Sequence, residues 1–177
     1  MTGREGAANQ VRLLDQRFLQ QPGRYLAQCG LATLCMLILL AVLEAVTNAT
    51  VLASLGASAF VAFTMPHREL SSPRHLVGGY LVGMAVGSLC CLLLRAAPSE
   101  LTVLWGHIWQ AVASALAVGL AVFVMVITGT EHPPAASLAL GLVLGDTSLD
   151  LVLVILAGIV GLTVLKWLLR RRLVDLV

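Results

Sequence analysis

The sequence predicts an all-α transmembrane protein: a six-helix bundle made of two inverted three-helix repeats, with the second and fifth helices short. Three observations predict it. Composition comes first: 59% of the 177 residues are hydrophobic and 11% charged, against about 45–50% and 25% in soluble domains. The others are the spacing of the apolar runs and the placement of charge between them.

Four runs match the roughly 20 helical residues that a hydrocarbon core requires: Tyr25–Thr47, His75–Leu94, Leu101–Thr128 and Leu149–Leu169. Val51–Met65 and Pro134–Gly145 are shorter, reaching only about 22 Å and 18 Å at 1.5 Å per residue. Charge separates crossing from re-entry for these two. If both cross, Arg4, Arg12, Arg17, Arg24, Arg68, Arg74, Lys166, Arg170, Arg171 and Arg172 share the face of the N terminus, while Glu100, Asp146 and Asp150 lie opposite with Arg95. Basic residues collect on the cytoplasmic side of a membrane. Re-entry would instead place "HRELSSPRH" outside with its two arginines, so six crossings are preferred, with both termini cytoplasmic in a bacterial inner membrane.

The order long, short, long then occurs twice. Residues 25–95 and 101–170 read as two copies of one unit, preceded by the segment 1–24 and followed by the tail 171–177. An odd number of crossings per copy inverts the second. Inverted repeats with short helices at corresponding positions place a substrate site at the repeat interface.

The segment before the first span lacks the apolar core and cleavage site of a signal peptide. Its "VRLLDQRFLQQ" reads as an amphipathic surface helix or a solvated arm. Cys29, Cys35, Cys90 and Cys91 have no CxxC spacing and read as packing residues. A net charge of +2 implies no nucleic-acid partner, and the apolar composition makes the lipid bilayer the partner.

Gly79, Gly83 and Gly87 form a GxxxGxxxG ridge, with the same spacing at Gly141 and Gly145 and in the Ser54, Ser58, Ala62 series. Such ridges let helices approach closely, within one bundle or between copies in a homo-oligomer. His107, Gln110 and Ser114 fall on one stripe of the fourth helix, and a polar stripe must face protein, water or the interface. Glu44 sits near the end of the first helix, where it can snorkel.

The stretch "TGTEHPPAASLALG" carries the candidate site. Residues before proline avoid the α region, so the chain is extended up to His132 and a helix starts at Pro133 or Pro134. Prolines have no N–H, so the free donors at this start are those of Ala135, Ala136 and Ser137. The helix dipole points with them, which makes an anion site in kind. His132 stands at its mouth, and Thr128 and Thr130 add hydroxyls. A purely structural reading stays open, in which the turn caps a helix and His132 bonds backbone carbonyls.

"TGTEHPPAAS", with "GASAFVAFTMPHRELSSPRHLVGGYLVG" and "WQAVASALAVGLAVFVMVITGT", resembles the HPP family of small integral membrane proteins, whose motif stands here as His132, Pro133 and Pro134. The resemblance runs from Tyr25 to Arg170. Members of that family are implicated in nitrite transport, which implies a permease for a small monovalent anion, nitrite first. It would then be His132, Ala135, Ala136, Ser137 and the facing Gly56, Ala57 and Ser58 that line the path, with Thr128 and Thr130 beside it. Glu131 and Arg74 are candidates for gating or proton coupling. The chain departs from the family pattern at His75 and Tyr80, where Asn and His are frequent, and at Glu131, where a neutral residue is common. An acidic Glu131 repels an anion unless Arg68, Arg74 or a proton neutralises it.

The competing expectation is a membrane-embedded structural or sensory module. An enzyme is not expected: Glu131 and His132 are neighbours in an extended segment, pointing to opposite sides, and no nucleophile or metal triad accompanies them. No cofactor is implied, and His67, His75 and His132 could bind a metal only if the fold gathered them.

Overall fold

The computed structural model describes residues 19–43, 49–96, 99–145 and 148–177. Most of the predicted amphipathic segment lies outside these residues, as do Glu44 and Asp146. Among the described residues there are six α-helices and no strand. They are α1 (Pro22–Leu43), α2 (Ala49–Thr64), α3 (Pro73–Arg95), α4 (Ser99–Thr128), α5 (Pro133–Leu144) and α6 (Leu149–Leu169), with a 3-10 turn at Glu69–Ser71 before α3. α1, α3, α4 and α6 are long and apolar enough to cross a membrane; α2 and α5 are shorter.

The starts follow local chemistry. Proline lacks the N–H that a first turn leaves unused, and α1, α3 and α5 begin at Pro22, Pro73 and Pro133. Ser72 caps α3 and Ser148 caps α6, each accepting a backbone N–H from three residues on. The first span therefore starts three residues before the predicted Tyr25, because Pro22 opens a helix instead of blocking one.

Long-range bonds fix the direction of each helix. The Tyr25 hydroxyl donates to Leu176 O at 2.9 Å, and the Gln28 amide donates to Phe63 O and to Val174 O. Lys166 Nζ donates to the carbonyl and hydroxyl of Ser71, and His75 meets Glu131. One end of the bundle thus gathers the starts of α1, α3 and α5 with the ends of α2, α4 and α6. Successive helices run in opposite directions. This is an up-and-down six-helix bundle, with α1 and α4 antiparallel as an inverted repeat requires.

Packing respects the repeat. α3 lies on α5 as α6 lies on α2; α4 lies on α5 as α1 on α2; α3 lies on α4 as α6 on α1. The contacts of α2 with α5 and of α3 with α6 map onto themselves. The short α5 therefore packs mainly on α3, the third helix of the other repeat, while α2 packs on α5, α6 and α1. The interface between repeats is the centre of the molecule.

The α3–α5 crossing is the closest of these. A Cβ built on Gly79 would lie 2.6 Å from His132 Cβ, one on Gly83 would meet the Ala135 carbonyl oxygen, and one on Gly87 would lie 2.8 Å from Ala139 Cα. The glycine ridge packs backbone on backbone. The outward faces carry Leu89, Leu92, Leu93, Phe123, Val126 and Ile127, the apolar surface that a bilayer takes up. On α4 the polar stripe turns inward only at Ser114: His107 is exposed, Gln110 half-buried, and the buried Ser114 hydroxyl has no hydrogen-bond partner.

Candidate functional site

His132 is the N-cap residue of α5, in extended backbone, and its side chain does not cap the helix. Two consecutive prolines cannot continue α4, and the chain turns at Gly129, whose φ of +59° suits glycine. Thr130 and His132 then lie against Gly78 and Gly79 of α3. Because Gly79 is the seventh residue of a helix that starts at Pro73, α5 begins about 9 Å along α3 from its start at 1.5 Å per residue. The helix start is recessed, and the ring of His132 is 1% exposed.

A buried polar knot surrounds that ring. His132 Nε2 lies 2.9 Å from Ser58 Oγ, and Tyr80 Oη lies 2.9 Å from the same oxygen. The Ser54 hydroxyl is a further partner of Tyr80, and the Tyr80 and His132 rings are 5.8 Å apart and tilted by 42°. Ser54, Ser58, Tyr80 and His132 are each 1% exposed or less. They come from α2, α3 and the start of α5, so the knot sits between the repeats.

With the ring proton on Nε2, the Ser58 and Tyr80 hydroxyls are satisfied together. Ser58 Oγ donates its proton to Ser54 O at 3.0 Å, the back-bond common to serine within helices. Its two lone pairs then accept from Tyr80 O–H and His132 Nε2–H. In that tautomer the neutral ring keeps a bare lone pair on Nδ1. That Nδ1 is buried without a partner at strict hydrogen-bond geometry, and the backbone of Leu70 in the 3-10 turn is the polar group that acts on the ring from that side as an acceptor. An unpaired buried polar atom costs about 1–3 kcal/mol.

A second polar layer lies outside the knot. Glu131 Oε2 is 3.2 Å from His75 Nε2, whose ring is buried while the carboxylate is 43% exposed. His75 Nδ1 is held by Ser72 Oγ at 2.9 Å. Arg74 donates to Thr128 O at 2.6 Å. These two ties lay the α4–α5 linker over the start of α3 and cover His132. A cavity of about 200 Å³ at the α4–α5 seam is lined by Glu131, His132, Pro133, Ala136, Val122, Met125 and Val126.

The remaining expected residues are distributed differently. Ala135 N–H is bonded to His132 O at 2.9 Å, and Ala135 and Ala136 are packed in the core, so the cradle of free amides expected at this start is partly closed. Ser137 is exposed. Gly56 and Ala57 face outward, and Gly56 lines an apolar groove of about 630 Å³ between α1 and α2, away from His132. Of the α2 trio only Ser58 meets the motif. Thr128 Oγ1 is engaged by Val124 O and by Thr130 Oγ1. The three histidines weighed as metal ligands are separate: His67 faces Asp175, His75 faces Glu131 and His132 faces Ser58.

Sequence reading missed Tyr80 as a partner and Ser54 as its neighbour. The i, i+4 pair of hydroxyls on a short helix was the available signal for both serines. It also missed Lys166, a buried cation satisfied by Ser71.

The linker supports one prediction on stability. Gly129→Val forces a β-branched residue to φ +59° and sets its Cβ 3.2 Å from Arg74 Nη2. A left-handed residue costs about 1–2 kcal/mol outside glycine. The melting temperature in detergent should fall accordingly, and an unchanged melt would mean the linker is not held by this turn.

Comparison with known proteins agrees with this architecture. Two transmembrane proteins of Dictyostelium discoideum are 34% identical over 92 residues and 38% identical over 89 residues, about half of this chain in each case. The matches cover only 29% and 26% of those proteins' own lengths. No solved structure matches. The profile of the HPP transmembrane region matches residues 20–174, nearly the whole bundle with its His132-Pro133-Pro134 helix start, and the chain belongs to the HPP transmembrane family.

Proposed function

We propose that the protein transports a small monovalent anion, nitrite first among candidates, through a site at the interface of the two repeats. One observation carries the reading: the recessed start of α5 places His132, with an unpartnered Nδ1, in a buried polar knot shared by both repeats. A helix start inside the bilayer adds a favourable field for an anion, and the linker tied by Arg74 and Glu131 closes the approach. The basic residues at this end, with Lys166 in the last turn of α6 and Arg170, Arg171 and Arg172 after it, orient it toward the cytoplasm.

The test is uptake into proteoliposomes of nitrite, nitrate, formate and chloride, each against protein-free vesicles. Nitrite uptake above background and above chloride is expected. Uptake equal to protein-free vesicles for all four anions would replace the permease with a structural or sensory module.

A further inference from the structure

We propose that His132 Nδ1 is a proton-binding site and that one proton crosses with each anion, a coupling that rests on the permease reading. The ring cannot turn to relieve its orphaned nitrogen without giving up the Ser58 bond. An anion entering this core alone meets a low dielectric, and among the described residues no unengaged cation lies in the knot to offset its charge. Among the described residues, the charged and titratable groups that face the ring are few. α3 brings His75 and Tyr80, the linker brings Glu131, and Lys166 of α6 reaches Ser71 beside Leu70. α2 brings the hydroxyls of Ser54 and Ser58, and α5 brings apolar side chains.

Lys166 is engaged by Ser71, and His75 by Ser72 and Glu131. Glu131 is half-open to solvent and outside the knot. His132 is the group placed to become positive beside the anion. The step balances simply: a proton from water bonds to the Nδ1 lone pair, the imidazolium holds the anion, and both leave on the far side, regenerating the neutral ring. No net charge crosses. The Nε2–H to Ser58 bond is kept throughout, so the polar knot serves as the fixed half of a proton switch.

The experiment uses full-length protein in vesicles that enclose a pH indicator, with the membrane potential clamped by potassium and an ionophore. An inward nitrite gradient should acidify the lumen faster than in protein-free vesicles, at a rate independent of potential. The same measurement with nitrate removes the background of permeant weak acid. His132→Gln keeps an amide donor for Ser58 but has no titratable nitrogen; it should lose the protein-dependent acidification while eluting as a monodisperse species like the wild type. Anion flux that follows the membrane potential without acidification would overturn the coupling and leave the permease standing. Absence of flux for every anion would overturn both. Acidification retained in His132→Gln but lost in Glu131→Gln would move the proton site to the linker and overturn the assignment to His132.

Discussion

Gly83→Val should prevent the bundle from folding normally. The Cβ alone would be driven into the Ala135 carbonyl oxygen, with the Ala135 carbonyl carbon at 3.2 Å, and backbone atoms of a packed helix cannot swing aside as a flexible side chain can. Overpacking of a core commonly costs about 1–3 kcal/mol, and here the obstacle is backbone on both sides, so the upper end is expected. Loss of most monodisperse protein after extraction, or a melting temperature lowered by many degrees, would show it. Gly119→Ala is the contrast, since nothing lies within 4 Å of its Cβ; a mid-helix Gly-to-Ala change should be neutral or stabilising by about 0.5–1 kcal/mol. If both variants melt alike, α3 and α5 do not cross as described.

His132→Ala should abolish nitrite uptake. Removing the ring deletes the partner of Ser58 Oγ at 2.9 Å and the only ring facing Tyr80 at 5.8 Å among the described residues. It also leaves a void in the core, so stability must be measured beside transport. A fall of at least about tenfold in uptake corresponds to 1.4 kcal/mol, within what one charge-assisted hydrogen bond provides. His132→Gln separates the two effects, since its amide can reach Ser58 and fill part of the space. Recovery of the melting temperature without recovery of uptake assigns the loss to the imidazole. Recovery of both would reduce His132 to a packing role.

Much of the architecture was legible because its determinants are local. Pro133-Pro134 ends one helix and opens the next wherever they stand, and the lengths of the apolar runs set which helices are short. The alternating directions followed from charge placement and were met by the bonds at one end of the bundle. The site was legible only in part. His132 and Ser58 were both candidates, 74 residues apart, and the fold brings them within hydrogen-bond distance. Gly56 and Ala57 were grouped with Ser58, yet consecutive helical residues point about 100° apart, and only one of the three can face the centre.

The sequence by itself determined the membrane class, the helix order, the short second and fifth helices and the extended backbone at His132, since hydropathy, proline and glycine act on their own neighbourhoods. Tertiary structure alone decided how each helix is rotated and what it meets: Tyr80 on Ser58, His75 on Glu131, Lys166 on Ser71, and an Nδ1 left without a partner. Those pairings depend on the packing of helices from opposite repeats, where one close crossing of glycine on backbone fixes the rotation of every side chain around it.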